Sequence, residues 1–419
     1  MMACSVGVLM ENRQQAFATS RVQAFHLRFG LYAFGIFFPR VPYFDHNATA
    51  PIAPVARATW LQAQDEAWQN PSSPYRAAAQ VRNRLDAARE KLAILVGGGA
   101  EDFVFTSGAT EAANLVLAHW ARTLPSDARI AVNPTEHSCV RDAARHYFGG
   151  RVVWLKTGVE GVVTPTDVEA VLGNVGAVAV MAANNETGVI QPWAEIAKSC
   201  AASGVPFLCD ATQWLGKLPA GGLGEIGFVI GAAHKFGGPK GVGFLKLGTN
   251  AEGLRGQLGG AQEHGHRAGT EDFPSIAAMV AALAGPAPEK VFIMADRLRW
   301  RQEFELSVAA VTGVRVVAAG TDRLWNTVAL IMPHSENHRW VAHLDKRGFQ
   351  VSTGSACAAG RNEPSHVLAA MGLPSETARR AIRVSSGWET TEADWNALAA
   401  AFSEVSAELK VTAGDVVSV

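Results

Sequence analysis

The sequence predicts an α/β protein with a large domain built on a mostly parallel sheet, followed by a smaller α+β domain. Between residues 75 and 250, short β-branched runs alternate with helical patterns, which is typical of parallel strands connected by helices. The segment Gly285-Pro286-Ala287-Pro288 then interrupts this alternation. The chain has 419 residues, of which 48% are hydrophobic, so it is long enough to bury one or two large cores.

The candidate elements follow this alternation along the chain. Predicted strands cover residues 103–105, 129–132, 152–155, 177–182, 206–209, 227–230, 242–246, 314–317 and 327–331. Predicted helices cover residues 73–95, 110–123, 168–172, 193–203 and 289–305. We expect Thr166-Asp167 to cap the third of these helices, because short polar side chains accept hydrogen bonds from a first helical turn.

Composition limits the possible function classes. The balance of 37 basic against 38 acidic residues predicts no binding to nucleic acid or to an anionic membrane. The five cysteines form no C-x-x-C pair, which favours a reducing, cytoplasmic location and argues against a disulfide framework or a metal site. The most apolar N-terminal stretch, residues 29–38, is far shorter than the roughly 20 residues of a membrane-spanning helix. Small molecules and other proteins are therefore the expected partners.

Two predicted strands lead into segments suited to a charged ligand. The first leads into Ser107-Gly108-Ala109-Thr110, where the N–H groups of a helix start would bind an anion beside the Thr110 hydroxyl. The other leads into Asp210-Ala211-Thr212-Gln213, and ligands bind at the carboxyl ends of parallel strands. A carboxylate there could keep a pyridine nitrogen protonated. Taken alone, each segment is equally well explained by ordinary helix capping.

A lysine follows a third predicted strand, in the segment Ala232-Ala233-His234-Lys235-Phe236-Gly237-Gly238. An apolar strand before it and a glycine-rich loop after it are unusual surroundings for a solvated lysine. Desolvation lowers the pKa of a lysine and makes its amine a nucleophile that can form a Schiff base. Lys240, in the following Gly-Pro-Lys-Gly turn, is the alternative. Because turn lysines are more often solvated, we prefer Lys235.

Several blocks of the sequence resemble those of the cysteine desulfurases, in the same order and context. The blocks are Ser107-Gly108-Ala109-Thr110-Glu111-Ala112, Thr135-Glu136-His137, Asn184-Asn185-Glu186-Thr187-Gly188, Asp210-Ala211-Thr212-Gln213, Ala233-His234-Lys235, Arg267-Ala268-Gly269-Thr270 and Gly354-Ser355-Ala356-Cys357. The resemblance runs from about Tyr43 to Thr391 and implies fold type I of the pyridoxal-phosphate (PLP) enzymes, within the class V aminotransferase group. It implies a large PLP-binding domain at residues 58–290 and a small domain at residues 41–57 and 291–419. Residues 1–40 remain a tail of unknown role.

The resemblance implies roles around the PLP ring in the conversion of L-cysteine to L-alanine. Lys235 would form the covalent bond to PLP and move protons at the α carbon of the substrate. His137 would stack on the ring, and Asp210 would pair with the ring nitrogen. Asn184 and Gln213 would reach the ring hydroxyl, and Asn184 would also contact the substrate.

The resemblance also implies a phosphate site. Ala109, Thr110 and His234 would hold the phosphate, and Thr270 would reach it from the second subunit of a homodimer. The family commonly has a phosphate-binding serine where this chain has Ala232, so one hydroxyl contact is missing. Cofactor affinity is the property that this change would affect.

Two further residues define the expected sulfur chemistry. By strand alternation alone, Arg383 is expected to be solvated opposite Ile382 and Val384, whereas the resemblance implies that it clamps the substrate carboxylate. A lone cysteine is usually a buried apolar residue, but small neighbours make an exposed, reactive Cys357 plausible. The resemblance implies that Cys357 receives the sulfur as a persulfide. The segment around Cys357 resembles that of the subgroup with a longer, mobile cysteine loop. That subgroup passes sulfur to iron–sulfur scaffolds and transfer-RNA thiolation proteins.

Alternatives remain within and outside this chemistry. Another class V enzyme, such as an aminotransferase or a selenocysteine lyase, would share most of these residues, and an inactive homologue could serve as a scaffold for sulfur-transfer proteins. Two other departures from the family pattern are Gly259-Gly260-Ala261-Gln262-Glu263, where three glycines are usual, and the bulky Trp214. Neither removes a residue with an expected catalytic role.

Overall fold

A seven-stranded sheet forms the centre of the protein, in a computed structural model that describes residues 41–285, 287–311, 313–354 and 364–414. Its strands are β1 (Phe103–Thr106), β2 (Ile130–Val132), β3 (Val152–Trp154), β4 (Ala177–Ala179), β5 (Phe207–Asp210), β6 (Phe228–Ala232) and β7 (Gly243–Lys246). The strand order is β1-β7-β6-β5-β4-β2-β3. Strand β7 pairs antiparallel with β1 and β6, and the other pairs are parallel. The predicted mostly parallel α/β sheet is confirmed.

Helices cover both faces of this sheet. They are α1 (Pro54–Glu66), α2 (Arg76–Val96), α3 (Ala109–Thr123), α4 (Ser138–Phe148), α5 (Pro165–Leu172), α6 (Trp193–Ala202) and α7 (Phe273–Ala284). Because side chains alternate along a strand, Phe228 and Ile230 pack into the core beneath α3 and α4, whereas Val229 packs into the core on the other face. The strands are therefore buried on both sides, as is usual for parallel sheets.

A smaller antiparallel sheet follows in the chain. It consists of β8 (Arg315–Val316), β9 (Thr327–Ile331) and β10 (Ala381–Ser385), in the order β10-β9-β8. The helices of this region are α8 (Ala287–Ala309), α9 (Asn337–Asp345), α10 (His366–Ala370), α11 (Ser375–Ala378) and α12 (Glu392–Gly414). Ile382 and Val384 of β10 pack with Trp395 and Phe402 of α12 in one core. Arg383 consequently projects from the opposite face of β10.

The predicted elements exist, with different bounds at some ends. The cap predicted at Thr166-Asp167 is wrong: Thr164 caps α5, and its hydroxyl accepts the Asp167 N–H at 3.1 Å. Pro165 takes the first helical position, where its missing N–H costs nothing. The helix therefore begins at residue 165 instead of residue 168. The sequence patterns did not predict α1 and α7, which pack against each other. Helix α7 is apolar almost all round, so it has no amphipathic period to detect.

No helix in the described part of the chain has both the length and the apolar character needed to cross a membrane.

A buried ion pair joins helix α2 to the loop before α7, and both of its residues also bond to the main chain of β1. Arg89 of α2 forms a bidentate pair with Glu263, with N–O distances of 2.8 and 2.9 Å, and both side chains are almost completely buried. Glu263 also accepts the Phe105 N–H at 2.7 Å, and Arg89 donates to the Phe103 carbonyl. Glu263 has a positive φ of 48°, so its contacts hold a backbone conformation that non-glycine residues rarely adopt.

We expect Glu263→Gln to lower the free energy of unfolding by about 3 kcal/mol or more, because it leaves the buried Arg89 charge without its partner. Urea unfolding followed by circular dichroism measures this change. The matched control is Glu252→Gln, an exposed carboxylate, which should change stability by less than about 0.5 kcal/mol. Equal losses in the two variants would show that the pair contributes nothing specific.

Candidate active site

Polar side chains converge at the carboxyl-terminal ends of four strands of the large sheet. Thr110 follows β1, His137 follows β2, Asp210 ends β5, and Lys235 follows β6. Because β7 alone runs in the opposite direction in this sheet, these strand ends lie along the same edge. The four residues line one cavity of about 520 Å³. The cavity thus brings together these four residues, the first and last of which, Thr110 and Lys235, lie 125 positions apart in the sequence.

Lys235 lies at the end of a short 3₁₀ turn, Ala233–Lys235, directly after β6. Its Nζ donates to the main-chain carbonyls of Asn47 and Ala48, each at 2.7 Å. Lys240 lines the same cavity and is the other lysine among its described lining residues. The amine of Lys235 is thus held in place by two main-chain carbonyls of a distant segment.

Asp210 and His137 lie together on one wall of the cavity. Asp210 Oδ1 accepts the Thr212 N–H at 2.9 Å. His137 precedes α4, and its Nδ1 accepts the Cys139 N–H at 3.2 Å, which places the proton of a neutral ring on Nε2. Burial lowers the pKa of His137, and the Asp210 charge opposes that shift. At neutral pH the ring is therefore an uncharged surface that can stack on a flat ligand.

A second carboxyl group, Glu136, lies behind Asp210. It is completely buried, and its Oε1 accepts the Met181 N–H at 2.5 Å. Burial first, and the nearby Asp210 carboxylate second, raise the pKa of Glu136 well above its usual range. Burial and the Asp210 charge thus both disfavour a second negative charge on this wall.

Another part of the cavity lining has features suited to an anion. Helix α3 begins after Gly108 without a side-chain cap, so the N–H groups of its first turn point to the cavity unsatisfied by side chains. Ala109, Thr110 and His234 line the same cavity, and their contact with a phosphate stays a prediction. Burial, followed by the charges of Lys235 and Lys240, lowers the pKa of His234 to about 4. A neighbourhood this positive favours a phosphate dianion.

The departures from the family pattern have different consequences. Ala232 lines the cavity, so a serine hydroxyl at this position would have been part of the cavity lining. Trp214, by contrast, points away: its indole donates to the Pro219 carbonyl at 2.7 Å and meets the Trp193 ring edge to face. The bulk of Trp214 therefore does not reduce the space for a ligand.

The two amides expected near the ring hydroxyl differ in position. Gln213 lines the cavity, and its Nε2 donates to the Asn47 carbonyl at 3.0 Å. The Asn184 side chain instead supports its own loop, since Nδ2 donates to the Thr135 carbonyl and Oδ1 accepts the Glu186 and Thr187 N–H groups. The neighbouring Asn185 lines the cavity. A contact of Asn184 with ring or substrate stays a prediction, and it would require this amide to leave those partners.

Arg383 is only 2% exposed and lines the cavity, so the solvated position expected from alternation alone is wrong. The cavity lies on the second face of β10 at the position of Arg383, and the local pattern cannot reveal it. The Arg383 guanidinium donates to Asp45 Oδ1 at 2.5 Å and to the Gly354 carbonyl at 2.8 Å. It also donates to the Asn185 carbonyl at 3.2 Å.

Two further predicted residues, Thr270 and Cys357, have different outcomes. Thr270 is exposed and is not among the residues lining the cavity of its own chain. Cys357 lies outside the described residues, as does the tail at residues 1–40. Gly354, the last described residue before Cys357, contacts the substrate-binding candidate Arg383.

Sequence reasoning gave no role to several residues that shape the site. They are Asp45, Asn47, Asn185, Thr212, Lys217 and His366. Asp45 and Asn47 belong to the first stretch of family resemblance, which was the available signal. Lys217 is buried and bonded to Gln213, but nothing in its local sequence distinguishes it from a surface lysine.

Comparisons with known proteins agree with this geometry. The model of the family "Aminotransferase class-V" matches residues 42–398. An IscS-like cysteine desulfurase of Mycobacterium tuberculosis is 35% identical over 369 residues, covering 85% of this chain and 93% of the relative. A selenocysteine lyase of Xenopus tropicalis is 34% identical, covering 85% of this chain and 91% of the relative. The solved structure of a NifS-like protein superposes with a TM-score of 0.80 at 27% identity, covering 88% of this chain and 99% of that one.

The fold and the site define a PLP-dependent enzyme of fold type I, and the chain belongs to the class V aminotransferase family. Within that family it groups with the cysteine desulfurases.

The residues of the cavity fit PLP. Among the described residues, the Thr212 hydroxyl is buried without a hydrogen-bond partner beside Asp210, and the first turn of α3 has no side-chain cap. A polar ligand with an anionic end supplies what both groups lack. Asp210 and His137 would hold the ring, and Thr110 with His234 would hold the phosphate. No group of histidine, cysteine or acidic residues in the described ranges is arranged to hold a metal ion.

We expect Lys235→Ala to abolish the visible absorption band of the PLP-loaded protein, because that band requires a covalent bond between PLP and a lysine amine. Lys240→Ala, which removes the other lysine of the cavity, should retain the band. Absorption spectra of both variants after incubation with PLP provide the measurement. The opposite result, with the band lost only in Lys240→Ala, would identify Lys240 as the covalent lysine.

Proposed function

We propose that this chain is a cysteine desulfurase that transfers the sulfur of L-cysteine to its own Cys357 and releases L-alanine. Its class as a PLP-dependent cysteine desulfurase rests on the family and its relatives. One observation supports the residue assignment most strongly: Arg383 faces the cavity that holds Lys235 and also contacts Gly354, three residues before Cys357. A carboxylate bound by Arg383 would thus lie between the lysine amine and the start of the cysteine segment.

Arg383 is the proposed site for the substrate carboxylate. A guanidinium presents parallel N–H donors that match a carboxylate, and burial strengthens the pair. Asp45 already accepts one of these donors at 2.5 Å. The substrate carboxylate would therefore have to share or replace the Asp45 contact, which makes this end of the site selective for a well-placed anion.

Lys235 is the proposed base for the α proton of cysteine. PLP, when bound, supplies an electron sink that makes this proton acidic. Lys235 Nζ would accept the proton from the α carbon, since it lies at the end of β6 beside the ring-binding residues. Asp210 would keep the ring nitrogen protonated, and the neutral His137 ring would exclude water from one side.

The sulfur transfer balances without an added oxidant. The Cys357 thiolate attacks the substrate sulfur, a sulfur–sulfur bond forms, and the carbon–sulfur bond breaks. The electron pair of the broken bond stays on the β carbon, which becomes the methyl group of alanine after protonation. The described cysteines are poor candidates: all three are buried, burial raises the pKa of Cys200 to about 12, and burial with nearby carboxylates raises the pKa of Cys209.

The proposed partners follow from this chemistry. A persulfide must be passed on, and an iron–sulfur scaffold or a transfer-RNA thiolation protein is the proposed acceptor. The proposed oligomer is a homodimer in which Thr270 of one subunit completes the site of the other. Its exposure, away from the cavity of its own chain, supports that arrangement. The absence of C-x-x-C pairs supports a cytoplasmic location.

A selenocysteine lyase is the second candidate, because a relative at 34% identity has that name. The decisive experiment incubates purified, PLP-loaded protein with L-cysteine or L-selenocysteine and excess dithiothreitol, which reduces the persulfide and releases its sulfur, and quantifies alanine with sulfide or selenide. Equal amounts of alanine and sulfide from cysteine support the proposal. Activity only with selenocysteine supports the second candidate, and turnover that depends on a keto acid would indicate an aminotransferase.

We expect Cys357→Ser to lower sulfide production at least about 100-fold, because it removes the thiolate that accepts the sulfur. Cysteine-dependent changes in the PLP spectrum should remain, since Lys235, Asp210 and Arg383 are unchanged. Cys200→Ser, at a buried position far from these roles, should retain turnover per folded protein. Mass spectrometry after one turnover without reductant locates the extra sulfur. Its presence on Cys139, Cys200 or Cys209 instead of Cys357 would contradict the assignment.

The shared site can be tested with hybrid dimers. Thr270→Glu would place a carboxylate against the phosphate, and Lys235→Ala removes the base. If Thr270 acts across the interface, a dimer with one subunit of each variant has one intact site and should keep about half of wild-type activity. Coexpression with two affinity tags isolates this hybrid. If Thr270 acts within its own subunit, the hybrid has no intact site and should be inactive. If Thr270 is not at the site, the Thr270→Glu homodimer should itself keep wild-type activity, and either result would contradict the shared site.

A further inference from the structure

A buried lysine adjoins the candidate active site without facing a ligand. Lys217 is 6% exposed and, among the described residues, forms no ion pair with a carboxylate. Its Nζ donates to Oε1 of Gln213 at 2.8 Å and to the Gln213 main-chain carbonyl at 3.2 Å. Burial, followed by the charges of Lys235 and Arg383, lowers the pKa of Lys217 to about 7. A buried lysine with two bonds to one glutamine calls for an explanation, because desolvation of an amine is costly.

The backbone that carries Lys217 is fixed from two sides. The indole of Trp325 donates to the Lys217 carbonyl at 3.0 Å, and that of Trp388 donates to the Gly216 carbonyl at 2.9 Å. Gly216 has a φ of 71°, and a Cβ there would lie 2.4 Å from Cβ of Phe236. The position of Lys217 is therefore set by two tryptophans near the smaller sheet and by Gly216. Any larger residue at Gly216 would displace Phe236.

These contacts decide which end of the Gln213 amide faces the cavity. The amide has an acceptor end, Oε1, and a donor end, Nε2, that are similar in shape. Lys217 donates to Oε1, so Nε2 lies on the other side and donates to the Asn47 carbonyl at 3.0 Å. The same Asn47 carbonyl accepts from Lys235 at 2.7 Å. The donor end of Gln213 thus lies beside the lysine that is proposed to bind PLP.

We propose that Lys217 is a positioning residue that holds the Gln213 amide with its donor end toward the cavity, so that the ring oxygen of PLP meets a hydrogen-bond donor. This inference rests on the proposed function, specifically on the contact of Gln213 with the ring hydroxyl. Without Lys217, Oε1 would be buried without a partner, and rotation of the amide toward the Lys235 amine would satisfy it. The ring oxygen would then face an acceptor.

A double-mutant cycle tests the inference through PLP affinity, which does not depend on turnover. The four proteins are wild type, Lys217→Met, Gln213→Leu and the double variant, and equilibrium dialysis gives the PLP dissociation constant of each. We expect Lys217→Met to raise this constant about fivefold in the wild-type background, the effect of one hydrogen bond. In the Gln213→Leu background it should have no further effect, because Lys217 acts through Gln213.

Lys246→Met is the matched control. Lys246 is also buried and donates to a main-chain carbonyl, that of Ile226, but it lies outside the cavity lining. It should leave the PLP dissociation constant unchanged, even if urea unfolding of the cofactor-free protein shows lower stability. If Lys217→Met gives no soluble protein, Lys217→Gln, which retains a donor, enters the same cycle and should weaken PLP binding less than twofold.

The outcomes separate the inference from the function on which it rests. An equal effect of Lys217→Met with and without Gln213 would overturn the positioning role and leave the role of Gln213 intact. A Gln213→Leu variant that binds PLP like wild type would overturn both. A full cycle as expected, in a protein that produces no alanine from cysteine, would retain the positioning role and reject the proposed reaction.

Discussion

The hydrogen bonds of residues 44–50 join the two sheets, and the geometry of the cavity depends on them. Phe44 and His46 exchange main-chain hydrogen bonds with Ser385 of β10, while Ala50 bonds to the His234 carbonyl after β6. The Asn47 carbonyl lies between these ends and accepts from Lys235 and Gln213. A short extended segment thereby positions groups from both sheets, because its main-chain polar atoms must be satisfied on each side.

The same segment contributes a charge. Asp45 accepts from Arg383, whose main chain exchanges two hydrogen bonds with Ser352, earlier in the sequence. A buried guanidinium requires partners for its donors, and Asp45, Asn185 and Gly354 supply them with two carbonyls and one carboxylate. All three partners of Arg383 belong to the protein itself, so its burial does not depend on a ligand. Its contact with Gly354 joins the cavity lining to the segment that continues toward Cys357.

Charge is distributed unevenly in the cavity, and burial sharpens the difference. Lys235, Lys240 and Arg383 face it, and the lowered pKa values of His137 and His234 keep both rings neutral at physiological pH. Burial disfavours a negative charge on Glu136, the second carboxyl group near Asp210. This arrangement favours a ligand with an anionic end and a protonated ring nitrogen.

The sequence by itself determined the mostly parallel sheet, the strand ends that carry Asp210 and Lys235, and the family of the chain. Strand alternation and strand-to-loop transitions are local patterns, so they can be read from neighbouring residues. The tertiary structure decided the burial of Arg383, the engagement of Asn184 within its own loop and the contact of Lys217 with Gln213. Each depends on which distant main-chain group lies opposite a side chain, as the Asn47 carbonyl lies opposite Lys235. A main-chain carbonyl is chemically the same at every residue. Which carbonyl lies opposite a given side chain is therefore decided only by the packing of one sheet against the other.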